Sequence, residues 1–241
     1  MRNALLLATL GVGLLVGTAC NNNGTTTPLD PADFPFAPDT LRNGTQHVSL
    51  WADELYDNLI VVDNLLADLP KDDCVSIAGV PPAQTVFTLT SCGDDGQVSG
   101  TMTLGAITSN TATLTFNLTN GPLDSVEPTF TIKGTLTLTI SNVGTASEAY
   151  RHVGTLHLTA QNSGHPSQTI DLAIDLTFPK TTLESTPPPD PYPTGTVITD
   201  LETIDRTNLH INVGMTAGSD KFQVTTNGEH FVFDTGSHNL T

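Results

Sequence analysis

From Thr85 to Phe178 apolar and polar residues alternate with a period of two. Ala112, Leu114, Phe116 and Leu118 alternate with Thr113, Thr115, Asn117 and Thr119; Phe130, Ile132, Leu136, Leu138 and Ile140 alternate with Thr131, Lys133, Thr135, Thr137 and Thr139; Ile170, Leu172, Ile174, Leu176 and Phe178 alternate with Asp171, Asp175 and Thr177. Such alternation predicts strands with one wet face and antiparallel pairing, because parallel strands covered on both sides read as continuous apolar runs. Turn signals at Ser109-Asn110, Asn120-Gly121-Pro122, Asn142-Val143-Gly144 and Asn162-Ser163-Gly164 separate the runs into successive hairpins. The strands exceed the usual ~5–6 residues, which favours a wide, twisted sheet or open barrel over a compact sandwich.

One segment has a different period. Val48, Trp51, Leu55, Leu59, Val62, Leu66 and Leu69 recur every three or four residues, which predicts an amphipathic helix over 48–69, ended by Pro70. Its apolar face has to lie on the sheet that follows. Gly100, Gly134 and Gly154 each open a Gly-Thr-x-x-Leu element at unequal spacings, so the echo is one binary pattern reused, with Gly relieving strand curvature, and not a solenoid repeat. Residues 181–194 hold five prolines and predict a loop; the stretch beyond predicts two or three strands that extend the main sheet. The expected fold is mainly β, with one N-terminal helix packed on a large antiparallel meander sheet or open barrel, forming a single β-rich domain over 41–241.

Composition sharpens this. The 241 residues include 40 Thr, a β-branched residue suited to a half-exposed pleated face. The formal net charge is −17, from Lys+Arg 8 against Asp+Glu 25, which repels a phosphate backbone and excludes nucleic acid as a partner.

Arg2 precedes an apolar run from Ala4 to Val16, too short for a stable membrane span, and the run ends in Gly17-Thr18-Ala19-Cys20. The segment resembles the lipobox of bacterial lipoproteins, with Gly17 where that family usually has Leu. The resemblance implies that residues 1–19 are a signal peptide, that Cys20 becomes the lipidated first residue and that Asn21 sorts the protein to the outer membrane. Residues 20–40, beginning with the polar run 21–28, then read as a flexible tether. Removal of Arg2 lowers Lys+Arg to 7 against 25, a mature charge of −18. Acyl chains on Cys20, and not surface charge, would therefore hold the body on an anionic membrane.

In an oxidising compartment Cys74 and Cys92 have one possible pairing, closing a loop of 19 residues as a structural staple. Asp72, Asp73, Asp94 and Asp95 flank these cysteines and would form an oxygen-rich cluster of the kind that suits Ca²⁺, although the spacing is no EF-hand and solvated turn residues are the commoner outcome, so no metal site is expected. The seven His show no zinc-type spacing; His152 and His157 would point to opposite faces of a strand, and surface positions are the default expectation for the set.

The segment Phe231-Val232-Phe233-Asp234-Thr235-Gly236-Ser237-His238-Asn239-Leu240 resembles the catalytic-Asp segment of pepsin-like aspartic proteases, which implies Asp234 as one of two carboxylates sharing a proton. No second Asp-Thr-Gly or Asp-Ser-Gly occurs, and a strand ending in a tight turn explains the motif as well. No Gly-x-Ser-x-Gly elbow, phosphate loop or dinucleotide fingerprint is present, and no cofactor is implied. The sequence thus points to a non-enzymatic envelope protein that binds or scaffolds an envelope partner. The alternatives are a hydrophobic-ligand carrier, since a helix against a curved antiparallel sheet resembles periplasmic lipoprotein carriers, and a truncated aspartic-protease-like protein.

Overall fold

The computed structural model describes residues 28–30, 33–67, 74–92, 98–120, 129–180 and 193–241. One helix, α1 (Leu41–Ala67), precedes twelve strands: β1 (Val75–Ala78), β2 (Thr85–Cys92), β3 (Val98–Leu104), β4 (Thr111–Asn120), β5 (Thr129–Ser141), β6 (Ala149–Gln161), β7 (Gln168–Pro179), β8 (Thr194–Glu202), β9 (Asn208–Met215), β10 (Lys221–Thr226), β11 (Glu229–Asp234) and β12 (Asn239–Leu240). They form a single antiparallel sheet in strict sequence order, and the sheet does not close into a barrel.

The alternation fixes which face is which. Leu104, Leu114, Leu136, Leu138 and Leu176 are fully buried on the inner face. Outside, hydroxyl residues stand in cross-strand rows: Ser99, Thr119, Thr131, Thr159 and Thr169 lie opposite one another from β3 to β7, and Thr103, Thr115, Thr135 and Thr155 form a second row. The Thr159 and Thr169 hydroxyls are 2.7 Å apart, the hydrogen-bonded pairing that adjacent Thr on one face can make.

The sheet bends at its inward glycines. Gly134 and Gly154 adopt φ of 145° and 159°, and each faces a leucine of the other strand, Leu156 and Leu136. A Cβ on Gly134 would lie 2.5 Å from the Thr155 carbonyl oxygen, and one on Gly154 would lie 2.4 Å from that of Thr135. No other residue fits this approach.

The helix starts seven residues before the expected Val48. Thr40 caps it, its Oγ1 accepting the Asn43 N–H at 3.1 Å while its carbonyl accepts the Gly44 N–H at 3.0 Å. Asn43-Gly44 reads as a turn in the sequence, yet Gly44 is helical because α1 runs close to β9: a Cβ there would sit 2.7 Å from Leu209 Cδ1. Val48, Trp51 and Leu55 of the expected stripe are buried; Leu59, Val62, Leu66 and Leu69 lie outside the described side chains. The helix packs against β8, β9, β10 and β12. A buried contact holds it there, the Thr45 and Thr226 hydroxyls being 2.8 Å apart, while within the helix Ser49 Oγ donates to the Thr45 carbonyl at 2.8 Å.

Part of the stretch read from sequence as the tether, Leu29 and residues 33–38, is packed instead. Leu29 and Phe36 are buried, and Leu29 N–H and Pro38 C=O both bond to the backbone of Ile204. Phe36 meets Trp51 edge-on at 5.4 Å and lies 6.1 Å from Phe130. A non-periodic segment anchored by one aromatic carries no pattern that sequence reading detects.

Beyond the Pro-rich stretch the chain makes five strands, not two or three, all in the main sheet. β8 was hidden by an inverted alternation, with Thr199 buried and Ile198 on the other face; β12 has two residues. β1 was too short to register as a strand in the sequence.

Replacing Gly154 with Val is expected to destabilise the protein by at least about 2 kcal/mol in urea unfolding, because strain at an unsuitable φ adds to the clash with Thr135. Thr137→Val on the outer face should stay within ~0.5 kcal/mol of wild type.

Candidate functional site

The β11–β12 turn contains the Asp-Thr-Gly-Ser motif. β11 delivers Asp234 to the turn, and Asp234 Oδ1 accepts the Ser237 backbone N–H at 2.9 Å and the Ser237 hydroxyl at 3.0 Å. The backbone donor and then the hydroxyl hold the Asp234 carboxyl below the usual carboxylate range, and Lys221, its cross-strand partner, adds its charge at 3.7 Å. Thr235 is buried and donates its N–H and its hydroxyl to the Asp220 carbonyl, each at 3.1 Å. His238 stacks on Phe233 at 6.4 Å and reaches Asp53 of α1 at 3.6 Å. This arrangement favours an ionised, fully engaged carboxylate. A shared-proton dyad needs the opposite, two carboxyls close enough to raise one pKa. The motif works here as a self-hydrogen-bonded turn that also fastens α1 to the sheet.

A polar cluster that sequence reading missed lies where β6 begins and β7 ends, in the middle of the strand order. Glu148, at the start of β6, is buried among donors: Tyr150 OH at 2.7 Å, the Gly144 N–H, and Lys180 Nζ at 3.4 Å. The Gly144 N–H and then the Tyr150 hydroxyl lower the Glu148 pKa, with Lys180 contributing less. Lys180 also donates its N–H to the Glu148 carbonyl at 2.8 Å, so one carboxylate ties the β5–β6 turn to the end of β7. Three donors engage the Glu148 carboxylate, which acts as a clasp between the turn and the strand end.

The histidines divide. His157, His210 and His165 lie beside Asp171, Asp200 and Asp33 at 2.6, 2.7 and 2.8 Å, all partly or largely exposed. His152 corrects the expectation of surface positions: it is fully buried, set between Leu138 and Leu176 in the register, with its ring edge-on to Phe178 at 5.6 Å. Its parity with Leu156 and Leu158 was the available signal. Among the described residues no group of three or more His, Cys, Asp or Glu is placed to hold a metal ion. Asp72, Asp73, Asp94, Asp95 and the acylation candidate Cys20 lie outside the described residues.

Cys74 is disulfide-bonded, while the Cys92 side chain lies outside the described side chains. The backbone brings the two positions near each other, with Thr90 N–H donating to the Cys74 carbonyl at 2.9 Å.

No family matches the chain, and no curated protein or solved structure is significantly similar to it.

Glu148→Gln is expected to lower stability at neutral pH by ~1–3 kcal/mol, the scale of hydrogen bonds to a charged group. The folded pKa of Glu148 is depressed, so its contribution is present above the unfolded carboxyl pKa and is lost as pH falls through the folded value. Stability measured against pH should therefore fall less steeply on the acid side in Glu148→Gln than in wild type.

Proposed function

We propose that this chain is an exported, lipid-anchored envelope protein, held at the outer membrane through Cys20, that acts by binding or scaffolding and not by catalysis. The observation that carries the reading is the Gly17-Thr18-Ala19-Cys20 segment followed by polar residues 21–28, with chain packing setting in at Leu29. An acyl group on Cys20 would be joined to the body by a tether of about eight residues, at most ~28 Å when extended. The Cys74–Cys92 staple belongs to the same proposal, since export supplies an oxidising compartment. Against a catalytic role stand the commitments of the two best-placed carboxylates: Asp234 is engaged by Ser237 and Lys221, and Glu148 by Tyr150, Gly144 and Lys180.

The second reading is a hydrophobic-ligand carrier. Two buried polar atoms favour it, Trp51 Nε1 on α1 and Thr199 Oγ1 on β8, which have no hydrogen-bond partner among the described residues. Buried donors of this kind call for an acceptor, which a ligand head group could supply. The inner face weighs the other way: Leu209, Ile211, Val213, Phe222 and Phe233 under the helix are 0% exposed, so a ligand would have to displace packed side chains.

Two measurements separate these readings. Radioactive palmitate should label the wild-type chain and not Cys20→Ala; equal labelling, or none in either, removes the anchor. Trp51 is the only tryptophan, so its emission reports the helix–sheet layer directly. Under the first reading it is unchanged by added long-chain fatty acid, while a saturable shift would establish the carrier.

A further inference from the structure

An open sheet has two edges, and this one treats them differently. At the C-terminal edge the Leu240 carbonyl, which points away from β11, accepts Arg42 of α1, and Gln46 donates to the His238 carbonyl beside it. The edge is also blunted by length, since β12 has two residues. At the other edge stands β1. Thr90 N–H bonds the Cys74 carbonyl, and the register from Val75↔Leu89 to Ala78↔Val86 continues that pairing. Backbone groups of Cys74, Ser76 and Ala78 therefore point to β2, and those of Val75 and Ile77 point outward. Among the described residues nothing pairs with them. β1, four residues long, contains no charge, no proline and no bulge, three of the usual means of protecting an edge.

Charge is distributed with the same asymmetry. The chain has 33 charged residues, from Lys+Arg 8 and Asp+Glu 25, yet the described part of 74–147 contains a single one, Lys133. Among the described residues the exposed large hydrophobic side chains are Val80, Val143 and Val153, and Val80 is the one beside β1. Val80 is 61% exposed and follows β1 directly. Among the described residues, this part of the sheet presents no carboxylate to a second molecule of net charge −17.

We propose that the β1 edge is a self-association site, at which a second copy of this chain adds its own β1 in antiparallel register. A two-fold axis through Ser76 sets Val75 opposite Ile77 of the second copy and the reverse, so that the outward N–H and C=O groups of both residues in each copy are satisfied. This pairing joins two twelve-stranded sheets edge to edge, and it goes beyond the proposed envelope function without depending on the anchor.

The axis makes the proposal testable on the full chain. Ser76 meets its own copy as a non-hydrogen-bonded pair, with Cα atoms ~4.5 Å apart, inside the range a disulfide spans. Ser76→Cys is expected to cross-link on mild oxidation into a species of twice the 25.4 kDa chain mass, about tenfold more than Thr135→Cys on the outer face. Ile77→Pro removes an outward N–H without touching the β1–β2 bonds, and in the Ser76→Cys background it should reduce cross-linking about tenfold. If Ile77→Pro shifts Trp51 emission and so disturbs the fold, Ser76→Lys takes its place; light scattering should then show monomer where the wild type shows dimer. Cross-linking of Ser76→Cys no stronger than that of Thr135→Cys, insensitivity to both edge variants, or adducts with other envelope proteins instead of twice the mass would each overturn the proposal.

Discussion

The register of the long central hairpin governs the rest of the molecule. β5 and β6 pair without interruption from Thr129↔Gln161 to Ser141↔Ala149, and side chains along each strand alternate between faces. A slip of β6 by one residue would turn Leu156 and Leu158 to water and bring Thr155, His157 and Thr159 inside, so burial penalises that register. Gly134 and Gly154 are correct only in that register, because each approaches the neighbouring backbone at the point where the partner presents a carbonyl. The leucines they face are buried on the inner side of the sheet, and α1 lies on that sheet farther along, against β8, β9, β10 and β12.

The threonine excess follows from this constraint. A sheet wet on one face needs residues that tolerate water and still hold an extended backbone, and Thr meets both needs without charge. Acidic residues are kept out of the described parts of β1 to β5 altogether, so the acidity of the chain is a property of its other half and of its connections. The −17 taken from composition is an average over two very different surfaces.

Period-two alternation made β4, β5 and β7 visible in the sequence, and with them the antiparallel meander. It failed where polarity and burial part company. Thr199 faces inward and Ile198 outward, which concealed β8, and Asn43-Gly44 resembles a turn although contact with Leu209 makes glycine the residue that α1 needs there. The site residues follow the same rule. The Asp-Thr-Gly-Ser string is legible, but its meaning rests on what Asp234 touches, and Ser237 and Lys221 occupy it. Glu148 and Lys180 are 32 positions apart, and no spacing rule joins them; their meeting is made by the β6–β7 pairing, which sets Ala149 opposite Pro179. The acyl anchor is legible only as a resemblance over some twenty residues, which carries no information about the body behind it.

The position of α1 also has a consequence for the order of assembly. Each strand pairs with its neighbours in the chain, so the sheet can grow by local hairpin closure as the polypeptide emerges, with short loops to close at each step. The helix is the exception. It comes first in the chain but binds the last strands, with Thr45 meeting Thr226 across 181 positions and Arg42 meeting Leu240 across 198. Its apolar stripe must therefore wait, undocked, until the far end of the chain has arrived. For a polypeptide delivered amino end first, the segment with most to gain from burial is the last to obtain it, and the interval before docking is when the chain is most exposed to aggregation and to chaperones.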